Sequence, residues 1–176
     1  MITIIAGTNR PFSNSRVVAD VYAATLRRMD ANCEVLDLQG LPPDFMFSAM
    51  FDNAGKDPEF NKFQQVIDAS EKFVIIIPEY NGSFPGVLKA FFDALDYPGS
   101  LAGKVCALVA ISSGSQGGSL ALSHFTDILN YLDMPVLPQK PRLSFIHQHL
   151  EEQELTHRPF MSLIEIQAKA LLDYNG

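Results

Sequence analysis

Two rhythms of apolar and polar residues alternate along this chain. Short runs rich in apolar and β-branched side chains occupy residues 2–6, 34–38, 72–77 and 105–111, with a shorter stretch at Val136 and Leu137. Such runs suit strands buried on both faces, the hallmark of a parallel sheet. Between them the apolar residues recur at helical spacing. Val17, Val18, Val21, Tyr22, Leu26 and Met29 follow Ser13, Asn14 and Ser15, which supply a helix start. Asp57 and Pro58 open a second helix that carries Phe60, Phe63, Val66 and Ile67 on one face. A third helix is predicted over 86–95. Leu120, Leu122, Phe125, Ile128, Leu129 and Leu132 mark a fourth; Phe160, Leu163, Ile164, Ile166, Leu171 and Leu172 mark a carboxy-terminal one. Strands alternating with helices predict one three-layer α/β sandwich with a five-stranded parallel sheet, a single domain over residues 1–176.

Two segments break the alternation. Residues 41–56 are long for a strand-to-helix connection and hold Phe45, Met46, Phe47, Met50 and Phe51, too apolar for a solvated loop. Two readings stand: a flap packed on the sheet edge or in a subunit contact, and a wall beside a bound ligand. Residues 142–157 mix His147, His149, His157, Glu151, Glu152 and Glu154 without the spacing of a metal site, and read as a solvated connection.

Composition narrows the function. Of 176 residues, 47% are hydrophobic and 19% charged, as in a globular domain rather than a disordered chain. The net charge of −7, with no run of Lys or Arg, argues against nucleic acid as a partner. The longest apolar runs fall far short of the roughly 20 residues of a membrane span. Met1 leads straight into Ile2, Ile4 and Ile5 with no basic leader, so the expected compartment is the cytoplasm. Cys33 and Cys106, the two cysteines, sit among apolar neighbours and read as reduced core thiols.

In open α/β sheets ligands bind beyond the carboxyl ends of the strands, which puts the loops after the first, third and fourth strands together. Residues 7–16 form a hydroxyl-rich loop ending at a helix amino terminus, with Thr8, Ser13 and Ser15 as donors and Arg10 as a full charge. That set suits a phosphate monoester; the alternative is that Ser13 and Asn14 only cap the helix while Arg10 pairs on the surface. Neither the G-x-G-x-x-G fingerprint nor the P-loop pattern is present. Residues 78–89 carry two prolines and two glycines that fix the backbone, and residues 112–119 are rich in Ser and Gly. Ser115 lacks the G-x-S-x-G elbow of a serine hydrolase, since Ser113 stands where a Gly is needed. Many backbone donors, one Arg and no acid–base pair point to a cofactor that brings its own reactivity.

Thr8-Asn9-Arg10 with Ser13-Asn14-Ser15-Arg16, then Pro78-Glu79-Tyr80-Asn81-Gly82-Ser83 with Pro85-Gly86-Val87-Leu88-Lys89, then Ser113-Gly114 with Gly117-Gly118 together resemble the NADPH-dependent FMN reductase family of flavodoxin-like proteins, over about the first 137 residues. The resemblance implies strand order 2-1-3-4-5 and FMN at the switch between the first and third strands. It implies that Thr8, Arg10, Ser13, Asn14 and Ser15 hold the FMN phosphate. Pro78, Glu79, Tyr80, Asn81 and Gly82 would line the isoalloxazine ring, with Ser113, Gly114 and Gly117 closing its other edge. The chain departs from the family in following Lys89 with Ala90, Phe91, Phe92 and Asp93, in having no Trp, and in its long aromatic segment at 41–56. The implied activity is hydride transfer from NADPH or NADH through FMN to a small-molecule acceptor: a flavin, quinone, azo compound or metal ion. On this reading no side chain need act as acid or base, no metal is required, and a homodimer or homotetramer is expected. The competing reading is an FMN-binding electron carrier or interaction protein without NAD(P)H turnover.

Overall fold

The computed structural model describes residues 1–97 and 99–175. Five parallel strands form one sheet in the order β2-β1-β3-β4-β5. They are β1 (Ile2–Ala6), β2 (Cys33–Asp37), β3 (Lys72–Pro78), β4 (Val105–Ile111) and β5 (Arg142–Leu143). Because side chains alternate across a strand, each strand feeds two cores. Ile5, Phe73, Ile75, Ile77, Cys106 and Leu108 face α3 (Pro58–Ala69), α4 (Gly86–Ala94) and α5 (Ser119–Tyr131). Ile4, Val74, Ile76, Ala107 and Val109 face α1 (Asn14–Arg28) and α6 (Arg158–Asp173). No helix among the described residues is long and apolar enough to cross a membrane. Both cysteines are buried free thiols, and burial pushes each thiol pKa up.

The edge of the sheet differs from the sequence expectation. Val136 makes only a single bridge to Cys106, and regular pairing resumes at Arg142 and Leu143 opposite Ala110 and Ile111. Pro138 and Pro141 explain the interruption, because neither can donate to the ladder. Leu108 O consequently lacks a strand donor, and the buried Gln167 of α6 supplies one: its Nε2 donates to Leu108 O at 2.9 Å and to Gln139 O at 2.6 Å. Its Oε1 accepts from the Tyr22 hydroxyl at 3.1 Å. The second strand starts one residue earlier than expected and ends at Asp37, where Leu38 enters a 3-10 turn.

Two helix ends at the opposite rim of the sheet are closed by lysines. Lys72 Nζ donates to Leu171 O, Leu172 O and Tyr174 O at 2.8–3.0 Å, and Lys104 Nζ to Ile67 O at 2.9 Å and Asp68 O at 3.2 Å. Each ammonium sits where a helix dipole is negative.

The segment at 41–56 is divided. A short helix α2 (Phe45–Ser48) buries Phe45, which stacks on Phe60 with ring centroids 5.8 Å apart, and Ala49 joins the same core. Met46, Phe47 and Phe51 stay exposed. Ser48 Oγ donates a hydrogen bond to the α3 cap Asp57, which ties the segment to α3. Within 142–157 the expected solvated connection contains a small hairpin, β6 (Leu150–Glu151) and β7 (Glu154–Leu155), turned by Glu152 and Gln153 with positive φ.

Candidate functional site

The loops after β1, β3 and β4 meet in a cleft of about 190 Å³ at the carboxyl end of the sheet. The first loop leaves β1 through Gly7, where a Cβ would lie 2.6 Å from Ile76 O, so only glycine passes. Its three hydroxyls are held differently. Ser13 Oγ accepts from Arg16 N at 3.2 Å and caps α1. Thr8 Oγ1 accepts from Arg10 N at 3.3 Å and shares a 2.8 Å hydrogen bond with the Tyr80 hydroxyl, which ties the loop after β1 to the loop after β3. Ser15 Oγ is buried and has no hydrogen-bond partner among the described residues.

The two arginines of this loop also differ. Arg16 is engaged by Asp20 at 2.9 Å and Asp37 at 3.3 Å, mainly through the Asp20 hydrogen bond, which raises its pKa. Arg10 lines the cleft and makes no ion pair among the described residues. The alternative of a surface-paired Arg10 is therefore not what the structure shows. At the start of α1 the backbone N–H groups have no carbonyl four residues back, and the helix dipole is positive there. An orphaned buried hydroxyl, free N–H groups and an unpaired guanidinium fit a bound dianion such as the terminal phosphate of FMN.

In the loop after β3, Glu79 N donates to Ile111 O at 2.9 Å. Tyr80 and Ser83 then exchange backbone hydrogen bonds of 2.8 and 3.0 Å around Asn81 and Gly82, whose φ values are 52° and 76°. Positive φ at both central positions is the type I′ turn that Asn-Gly favours. Within the protein the turn, not crowding, demands Gly82: a Cβ there would meet only Leu120 Cδ1 at 3.7 Å.

In the loop after β4, Ser112 Oγ donates to Gly114 O at 2.8 Å. A Cβ on Gly114 would meet nothing within 4 Å, whereas one on Gly117 would stand 2.8 Å from Arg142 Cβ. Gly117 is thus required for β5 to pass beneath the loop.

Of the residues the sequence singled out, the cleft gathers Thr8, Arg10, Ser13, Asn14 and Ser15 from the first loop, Pro78, Glu79 and Tyr80 from the second, and Ser113 from the third. Asn81, Gly82, Gly114 and Gly117 lie outside its lining. Phe12, Ser112, Ile146 and His147 line it without having been singled out for it. Ile146 and His147 arrive because β5 pairs with the end of β4, and Ile146 N donates to Ser112 O at 3.0 Å. No group of three or more His, Cys, Asp or Glu among the described residues is arranged to hold a metal.

The fold has extensive counterparts. FerB, a flavoenzyme NAD(P)H:(acceptor) oxidoreductase from Paracoccus denitrificans, superimposes with a TM-score of 0.81 over 98% of this chain and 95% of that one, at 20% identity. A flavodoxin from the domain Archaea does so at 0.64 over 98% and 99%, at 13% identity. These likenesses establish a flavodoxin-like fold. In sequence, a 2-hydroxy-1,4-benzoquinone reductase from Burkholderia sp is 32% identical over 150 residues, 83% of this chain and 78% of that protein. A quinone reductase from Pseudomonas putida is 27% identical over 139 residues, 77% and 73% of the respective chains. The sequence model of NADPH-dependent FMN reductase matches residues 1–148. The chain thus belongs to the NADPH-dependent FMN reductase family of oxidoreductases.

Proposed function

We propose that this protein binds FMN with its phosphate in the first loop and its ring beside residues 78–82, and passes electrons from NADPH or NADH to a quinone. The observation that carries the reading is the buried, unpartnered Ser15 hydroxyl beside the unpaired Arg10 at the start of α1. FMN, when bound, accepts a hydride and passes electrons to a second substrate. Thr8, Ser13, Asn14 and Ser15 orient the phosphate with hydrogen bonds, while Arg10 contributes the full charge. The Tyr80–Thr8 hydrogen bond couples phosphate recognition to the turn that flanks the ring. The cleft encloses about 190 Å³, less than the roughly 300 Å³ at the lower end of small-molecule sites, so it holds the polar tail and leaves the ring accessible to a second reactant. A quinone is favoured among acceptors by the relatives that carry that name. The proposed compartment is the cytoplasm, with which two buried free thiols are compatible.

Arg10→Ala tests the placement. It removes a charge-assisted contact worth about 1.5–3 kcal/mol and should weaken FMN binding about 10- to 100-fold. Riboflavin, which has no phosphate, should bind as before. Equal weakening of both ligands in fluorescence titrations would assign Arg10 to the fold instead.

A further inference from the structure

A hydrogen-bonded serine–histidine pair braces the turn that follows the cleft residues Glu79 and Tyr80, and it takes no part in the binding just described. Ser83 closes the 80–83 turn, and its Oγ lies 3.0 Å from Nδ1 of His124 on α5. His124 is exposed, and no other side-chain hydrogen bond holds its ring among the described residues. Leu120, one helical turn earlier, is 55% exposed and borders Gly82. Phe84 meets Phe125 edge-on at 5.0 Å, which fixes the turn against the helix. The turn and α5 therefore form one shelf: Leu120 is its apolar floor, His124 its acid–base group, and Glu79 and Tyr80 of the cleft adjoin it in the chain.

We propose that His124 donates the second proton when a quinone is reduced, with Ser83 as its positioning residue; this rests on the quinone-reductase reading above. Forming a hydroquinone takes two electrons and two protons. A hydride originating from NAD(P)H supplies both electrons and one proton, which leaves one quinone oxygen as a phenoxide. In the imidazolium form of His124, Nδ1–H donates to Ser83 Oγ and sets the ring plane, while Nε2–H donates to that oxygen. The N–H bond breaks, the O–H bond forms, and the neutral ring regains a proton from solvent. The charged groups on the surrounding elements are Asp127 on α5, the Lys89–Asp93 pair at 2.6 Å on α4, and Glu79 on the loop.

The test compares two electron acceptors. Flavin-loaded, reduced protein is mixed in stopped flow with 1,4-benzoquinone, which takes up protons, or with ferricyanide, which takes electrons alone. His124→Gln keeps a hydrogen-bonding group toward Ser83 but cannot act as an acid. The ratio of quinone to ferricyanide rates should fall about 100-fold, and added imidazole should restore part of it in His124→Gly. An unchanged ratio in His124→Gln overturns the proposal. Independently of turnover, resorcinol, a diphenol that cannot be oxidised to a quinone, should shift the ring resonances of His124 in NMR spectra and leave those of His149 and His157 in place; no shift at His124 also overturns it. If the unaltered protein oxidises NADPH with neither acceptor, the quinone-reductase reading itself falls.

Discussion

Ser15 shows how one side chain separates a structural role from a ligand's role. A buried hydroxyl without a partner costs about 1–3 kcal/mol, and Ser15 Oγ carries that cost while Ser13 caps the helix and Thr8 is bonded to Tyr80. Ser15→Ala removes the orphaned group and should raise the unfolding free energy of the cofactor-free protein by about 1 kcal/mol. The same change should weaken FMN binding about 10-fold, because the phosphate loses a donor. Denaturant melts and flavin titrations measure the two effects, whose opposite signs identify a residue kept for its ligand. A loss of stability in the cofactor-free protein would show that Ser15 supports the loop instead. Phe12 is also set against the economy of the free protein: it is 94% exposed with φ 54°, a conformation costly for a bulky side chain. Thr8, Arg10, Ser13 and Ser15 were legible in the sequence because hydroxyls and a cation preceding a helix have a specific physical use. Phe12 was not, since neither its exposure nor its left-handed backbone leaves a compositional trace.

The same division runs through the elements. Strands β1, β3 and β4 were legible because burial on both faces writes a continuous apolar run. The edge was not: Pro138 and Pro141 break the run, so Val136 and Leu137 looked like the whole strand while regular pairing lies at Arg142 and Leu143. That displacement also hid Ile146 and His147 from the site. The β6–β7 hairpin turns on Glu152 and Gln153, residues without the Asn-Gly signature that marks the 80–83 turn. The aromatic segment at 41–56 answers in part to the packed reading, since Phe45 is core; Phe47 and Phe51 are exposed and no residue of the segment lines the cleft, and periodicity over a four-residue helix cannot sort them. Gln167 lies among the buried positions of α6, and its role follows from the broken edge: it replaces the strand donor that Leu108 O lacks. Gln167→Leu, similar in volume, should leave the Leu108 and Gln139 carbonyls and the Tyr22 hydroxyl without their donor or acceptor. The expected loss is about 3 kcal/mol in chemical denaturation, with the α6–sheet contact loosened in hydrogen exchange. A neutral outcome would mean that water reaches these groups.

At the scale of the whole molecule, the large apolar side chains of α4 and its carboxyl cap are taken up by the core. Leu88, Phe91, Phe92 and Leu95 are all buried within the chain. One patch of exposed aromatic surface lies at the groove between α4 and α5, about 570 Å³, where Tyr97 is 76% and Tyr131 81% exposed. Lys89, Asp93 and Asp127 rim this groove, so the patch carries both signs of charge around an aromatic centre. A two-fold pairing of such patches would bury the aromatic centre of each and set opposite charges of the two rims against one another. A homo-oligomer formed this way should scatter light as a multiple of 19.4 kDa at micromolar concentration. Replacing both Tyr97 and Tyr131 with Ser should return it to the single-chain mass, because large aromatics at an interface centre carry most of its binding energy. Salt distinguishes the forces at work. Each copy carries −7, so the subunits repel at long range, and raising ionic strength from low to physiological values should tighten association if aromatic burial dominates. Dissociation on adding salt would transfer the contact to the charged rim, and a mass of 19.4 kDa for the unaltered protein would refute the oligomer altogether.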